Sequence, residues 1–177
     1  MKVFATFLLS SALCCAFALG QDAAFISATT ACGPKGDKMK VSAESAKDLP
    51  SQPEPGKALV YVIEDDGVVN RIIGGGGAWR IGLDGAWVGG INRRSPYTSF
   101  SVTPGEHHLC TKRQSSLESL SKTAGVAHLD AESDKTYYFR VREWESQTVL
   151  FVDFTPVDSD QAKLLIALQP ATARDKK

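Results

Sequence analysis

Charge of one sign is missing from this 177-residue sequence: 20 Lys and Arg residues stand against 20 Asp and Glu residues. A balanced chain has no field with which to gather nucleic acid or an anionic surface, so neither is expected as a partner. Histidine is scarce, with three residues at positions 107, 108 and 128. Zinc needs three or four convergent ligands, and neighbouring histidines on a strand diverge, so no metal is expected. The sequence has no G-x-S-x-G elbow and no H-E-x-x-H pair, the arrangements that would supply a nucleophile or a metal-bound base. GGGGAWR (74–80) lacks the GK[ST] ending and the strand-to-helix setting of a phosphate loop, and reads as a flexible surface connection. No cofactor and no catalytic residue are expected. Beyond the first twenty residues no apolar run approaches the ~18 needed for a span.

Those first residues, MKVFATFLLSSALCCAFALG, are what the rest of the chain lacks. Lys2 precedes an uncharged apolar run from Val3 to Leu19, and Ala18-Leu19-Gly20 offers small residues before Gln21. This is the anatomy of a secretory signal peptide cleaved near Gly20, placing the product in the periplasm or outside the cell. A retained anchor is the rival reading. A lipidated Cys14 or Cys15 is another, but Leu13 and Cys14 precede them where a small residue is wanted. Processing removes one lysine, for a formal charge of about −1. It also removes two of the four cysteines. Cys32 and Cys110 remain, an even pair in an oxidising space, and are expected to bridge.

The chain divides at its proline-rich stretch. Residues 21–56 read as an extended segment and linker, with a short edge strand at Lys38–Val41 and three prolines in AESAKDLPSQPEPG. Residues 57–169 carry the strand pattern, and 170–177 are a frayed tail. ALVYVIE is a continuous apolar, β-branched run, the mark of a strand covered on both faces. RIGLDGAWVGG is a hairpin turning at Asp84-Gly85. YTSFSV puts Thr98, Phe100 and Val102 on one face, turns at Thr103–Glu106 and returns as HHLCTKR. VAHLDAE and TYYFRVRE read as a second such hairpin around Ser133–Lys135, and TVLFVDF as a last strand. Gln114–Ala124 is a loop. Asp158 with Gln161 forms a capping pair for a short helix whose apolar stripe is Leu164, Leu165 and Leu168. The fold expected is mainly β: an antiparallel β-sandwich, Ig-like or prealbumin-like, of about seven or eight strands with one short C-terminal helix.

Candidate sites are few. In PGEHHLC (104–110), His107 and Leu109 share one strand face while Glu106, His108 and Cys110 share the other. Leu109 should enter the core and Cys110 point outward, towards a covering segment that carries Cys32. A metal site and a thiol nucleophile are the alternatives to that bridge. Trp79, Arg80 and Trp87 flank the hairpin, and aromatics beside an arginine are common on contact surfaces; one tryptophan in the core is the competing expectation. Arg140 and Arg142 read as a solvated sheet face. Carboxylates at 65, 66, 130, 132 and 134 could pair only through the fold.

GKALVYVI, IGLDGAWVGG, YTSFSVTPGEHHLC, KTYYFRVR and the late PVDSDQAKLL together resemble an exported bacterial "domain of unknown function" family, over roughly Cys32 to Leu168 and including Cys-Gly-Pro. Ile81 to Cys110 is also similar to the PEGA repeat of envelope proteins, with its strand, Asp-Gly turn, Val-Gly and Pro-Gly-Glu-His. GVVNRIIGGGG is an insertion relative to that pattern. The resemblance implies a β-rich, envelope-associated module without attributed catalysis. The expected function is therefore a binding or structural module for an envelope protein, peptide or glycan. Two alternatives stand beside it. One is a hydrolase using Glu106, His107, His108 and His128; the other is a carrier of small apolar ligands between its sheets.

Overall fold

The computed structural model describes residues 30–34, 52–65, 78–92, 95–114, 123–146 and 149–168. The expected signal peptide, the expected 38–41 strand, most of the proline-rich stretch, GGGG (74–77) and residues 169–177 lie outside the described residues. Alternation of apolar positions builds eight strands: β1 (Ala58–Glu64), β2 (Ala78–Leu83), β3 (Ala86–Ile91), β4 (Tyr97–Val102), β5 (Gly105–Gln114), β6 (Ala124–Ala131), β7 (Thr136–Ser146) and β8 (Val149–Val157). One helix, α1 (Ser159–Leu168), follows.

The strands form two four-stranded sheets, in the orders β4-β1-β7-β8 and β3-β2-β5-β6. Their inner faces supply one core that includes Val60, Val62, Trp79, Ile81, Leu109, Phe139, Val141 and Phe154. The protein is thus a mainly β, sandwich-like fold that is not closed. Its order departs from the immunoglobulin arrangement, in which strands ABED face CFG.

Three sequence expectations are corrected. The sandwich is not wholly antiparallel, because β1 and β7 pair in parallel, Leu59 with Thr136 through Glu64 with Val141. Parallel neighbours need a long crossover, and here the whole second sheet intervenes between them. The turn at Thr103–Glu106 does not close a hairpin: β4 pairs with β1, and β5 pairs with β2 and β6. The turn before β7 likewise carries the chain from one sheet to the other. Both are arches over the core, with Gly105 (φ 129°) and Asp134 (φ 61°) taking the positive φ that each corner requires.

The third correction concerns α1. Its start is as expected: Asp158 Oδ1 accepts from the amides of Asp160 and Gln161, both at 2.9 Å. The helix packs on β7 and β1. It must do so from outside, since the inner face meets the other sheet, and this cover explains why outward-facing Leu59 and Ile63 are fully buried. However, the seated face is Ala162 with half-buried Leu165 and Ile166, and Leu164 and Leu168 point to solvent. The cap on Asp158 sets the helix's rotation as it leaves β8, and that rotation outranks the leucine count.

Candidate functional site

Asp84 and Gly85 close the β2–β3 hairpin with φ of 49° and 87°, the paired positive values of a two-residue primed turn. Aspartate does more than tolerate this backbone. Its Oδ1 accepts the His108 amide at 2.8 Å, while Oδ2 lies 2.6 Å from His107 Nδ1. The other ring nitrogen of His107 lies 2.7 Å from the Thr103 carbonyl. Both nitrogens therefore face acceptors, an arrangement satisfied when both carry protons. Burial lowers the His107 pKa, but the Asp84 hydrogen bond, the Thr103 carbonyl and the Asp84 charge together raise it above 6.5. His107 thus ties the Asp84 turn and the Thr103 carbonyl to β5, with both ring nitrogens engaged.

Cys110 leaves the same strand on its outer side and is bridged to Cys32, with Cα atoms 5.1 Å apart. The segment Thr30–Pro34 crosses the outer face of β2 and β3 as a strap. Its Ala31 is buried, and the Ala31 carbonyl accepts the Gly85 amide at 3.1 Å. Two glycines make this approach possible. A Cβ on Gly82 would lie 2.8 Å from the Ala31 carbonyl oxygen, and one on Gly33 would lie 2.5 Å from the Trp87 ring. Trp87 closes the strap, donating Nε1–H to the Pro34 carbonyl at 3.0 Å while the Arg80 guanidinium lies over its ring at 4.2 Å.

Trp79, Arg80 and Trp87 consequently do not form one patch. Consecutive strand residues face opposite ways, so Arg80 joins Trp87 on the outer face and Trp79 enters the core at 1% exposure. There Trp79 lies 5.8 Å below the Arg113 guanidinium, which is paired with Glu143 from the facing sheet. Glu64 is also buried.

The remaining histidines meet. His108 and His128 are directly opposite in the β5–β6 register, with ring centroids 5.5 Å apart. Glu106 lies 3.9 Å from His108, and Asp130 lies 3.3 Å from His128. Of the residues weighed for a hydrolase, Glu106, His108 and His128 share the outer face and His107 lies on the other. Among the described residues no group of three or more His, Cys, Asp or Glu side chains is placed to hold a metal. Of the other carboxylates, Asp65 lies 3.7 Å from Arg140, Asp66 is outside the described residues, and Asp134 serves the corner, accepting the Gly56 amide at 3.2 Å.

A different surface stands out. Six large apolar side chains are exposed among the described residues: Val126, Trp144, Val149, Phe151, Leu164 and Leu168. All except Val126 lie on the outer side of the β4-β1-β7-β8 sheet, so the exposure is concentrated on one face. Trp144 and Phe151 are cross-strand partners with stacked rings 4.5 Å apart, and Leu164 and Leu168 form a ridge on α1. The signal for Trp144 was present in REWES, where it keeps step with outward Arg140 and Arg142. For α1 there was none, because only the docked helix reveals which leucines remain outside.

Among the described residues no helix is long and apolar enough to cross a membrane. Compared with protein-family models, curated proteins and solved structures, the chain finds no match.

Proposed function

We propose that the chain is an exported, non-catalytic binding module of the bacterial envelope, which holds a protein partner through the outer face of its β4-β1-β7-β8 sheet. The observation that carries this reading is the concentration of exposed apolar side chains on that face. Apolar exposure concentrated on one face marks contact surfaces, and Trp, Phe and Arg are the residues enriched there. Trp144 and Phe151 are the anchors, Arg142 a polar flank, and Leu164 and Leu168 the second half of the surface. Export is supported by the signal-peptide pattern and by the Cys32–Cys110 bridge, which suits an oxidising compartment. Arg80 and Trp87 serve the strap in this reading.

Proximity labelling in the native envelope tests the proposal. The wild-type protein should enrich a defined partner, and Trp144→Ser with Leu164→Ser should lose it while the protein remains folded and bridged. An identical labelling profile for wild type and variant would overturn the assignment of this face.

A further inference from the structure

β8 is the outermost strand of its sheet, and no described strand pairs with its free edge. Edges of this kind are usually short or guarded by charge. β8 runs nine residues as VLFVDFTPV, longer than the six of β3 and of β4, and carries a single charge, Asp153. Its one guard is Pro156, opposite Phe139 in a regular ladder. Proline has no N–H, so in such a ladder its nitrogen faces away from the neighbouring strand. Antiparallel residues alternate between bonding inward and bonding outward. Leu150, Val152 and Phe154 share the parity of Pro156, and therefore direct their N–H and C=O groups to the open edge.

From this we infer that β8 pairs antiparallel with β8 of a second copy, about a twofold axis at Val152. Only this register uses all three outward residues. Val152 meets its own equivalent, Leu150 meets the partner's Phe154, and both ends stop before Pro156. Three such pairs exchange about six backbone hydrogen bonds. The inner side chains brought together, Leu150, Val152 and Phe154, are apolar and buried or half-buried. On the outer face each Asp153 meets the partner's Phe151. Arg142, directly across from Asp153 on β7, offsets the charge that two aspartates would otherwise bring together. A registered, self-complementary edge favours an identical strand over a foreign one, and a twofold contact closes the assembly at a dimer. The pairing uses the edge of the sheet and does not depend on the envelope partner proposed for its face.

Sedimentation equilibrium of the disulfide-bonded protein, from about 1 μM to about 1 mM, tests the inference. The average mass should climb towards twice that of the protomer. Leu150→Pro and Val152→Pro each remove an outward donor and none of the bonds to β7. Each should weaken association about tenfold or more while leaving the circular-dichroism melt in place. A synthetic peptide of residues 149–155 should dissociate the dimer. A protein that is monomeric throughout overturns the proposal, as does a dimer that neither variant weakens. So does a monomer that binds the peptide, which would make the edge a site for foreign strands.

Discussion

Single residues here act through what they must satisfy once enclosed. His107 sits between a carboxylate and a carbonyl, and its pKa is raised on folding. A raised folded value stabilises fully below the unfolded value of 6.5, and that contribution is lost as pH rises through the folded value. Stability to denaturant should therefore decline as pH increases upward from about 6.5, and His107→Gln should remove that part of the slope in urea titrations followed across pH. Glu143 is the opposite case, a buried anion held by Arg113 from the facing sheet, with side chains 8% and 10% exposed. Glu143→Ala leaves the guanidinium enclosed without this partner and should cost about 3 kcal/mol, measured as a lower denaturation midpoint. Replacing both members by apolar residues of similar size should cost much less.

At the scale of elements, the strap joins a flexible-looking sequence to a rigid sheet. Thr30–Pro34 offers one buried alanine, one cysteine and one glycine, yet hydrogen bonds from Gly85 and Trp87 and the absence of a Cβ on Gly82 and Gly33 seat it closely. Gly33→Ala would drive a methyl group into the Trp87 ring. The expected outcome is faster hydrogen exchange at the Gly85 amide and a quenching change in Trp87 fluorescence, with the sandwich still folded. Unchanged exchange at Gly85 would show that the strap does not depend on this contact.

For the molecule as a whole, the Cys32–Cys110 bridge spans 78 residues of sequence and closes the strap over both β2 and β5. On the chain-entropy account a loop of that length is worth roughly 4 kcal/mol, so a Cys32→Ser, Cys110→Ser pair should unfold at markedly lower urea while keeping its β-sheet spectrum. What was legible from residues was the set of strands and turns. ALVYVIE, the Asp84-Gly85 hairpin, the Asp158 cap and the outward Cys110 each follow from a local rule about alternation, positive φ or capping. Pairing was not legible. The turns at Thr103–Glu106 and Ser133–Lys135 have the composition of hairpin turns and instead bridge two sheets, because a turn residue specifies a change of direction and not the strand that will lie alongside. The parallel β1–β7 pair, the burial of Trp79 and the exposed leucines of α1 share that origin. Sequence by itself determined which side chains alternate and where the chain bends; tertiary structure decided which faces met, since the free energy of burying a face depends on everything that packs against it.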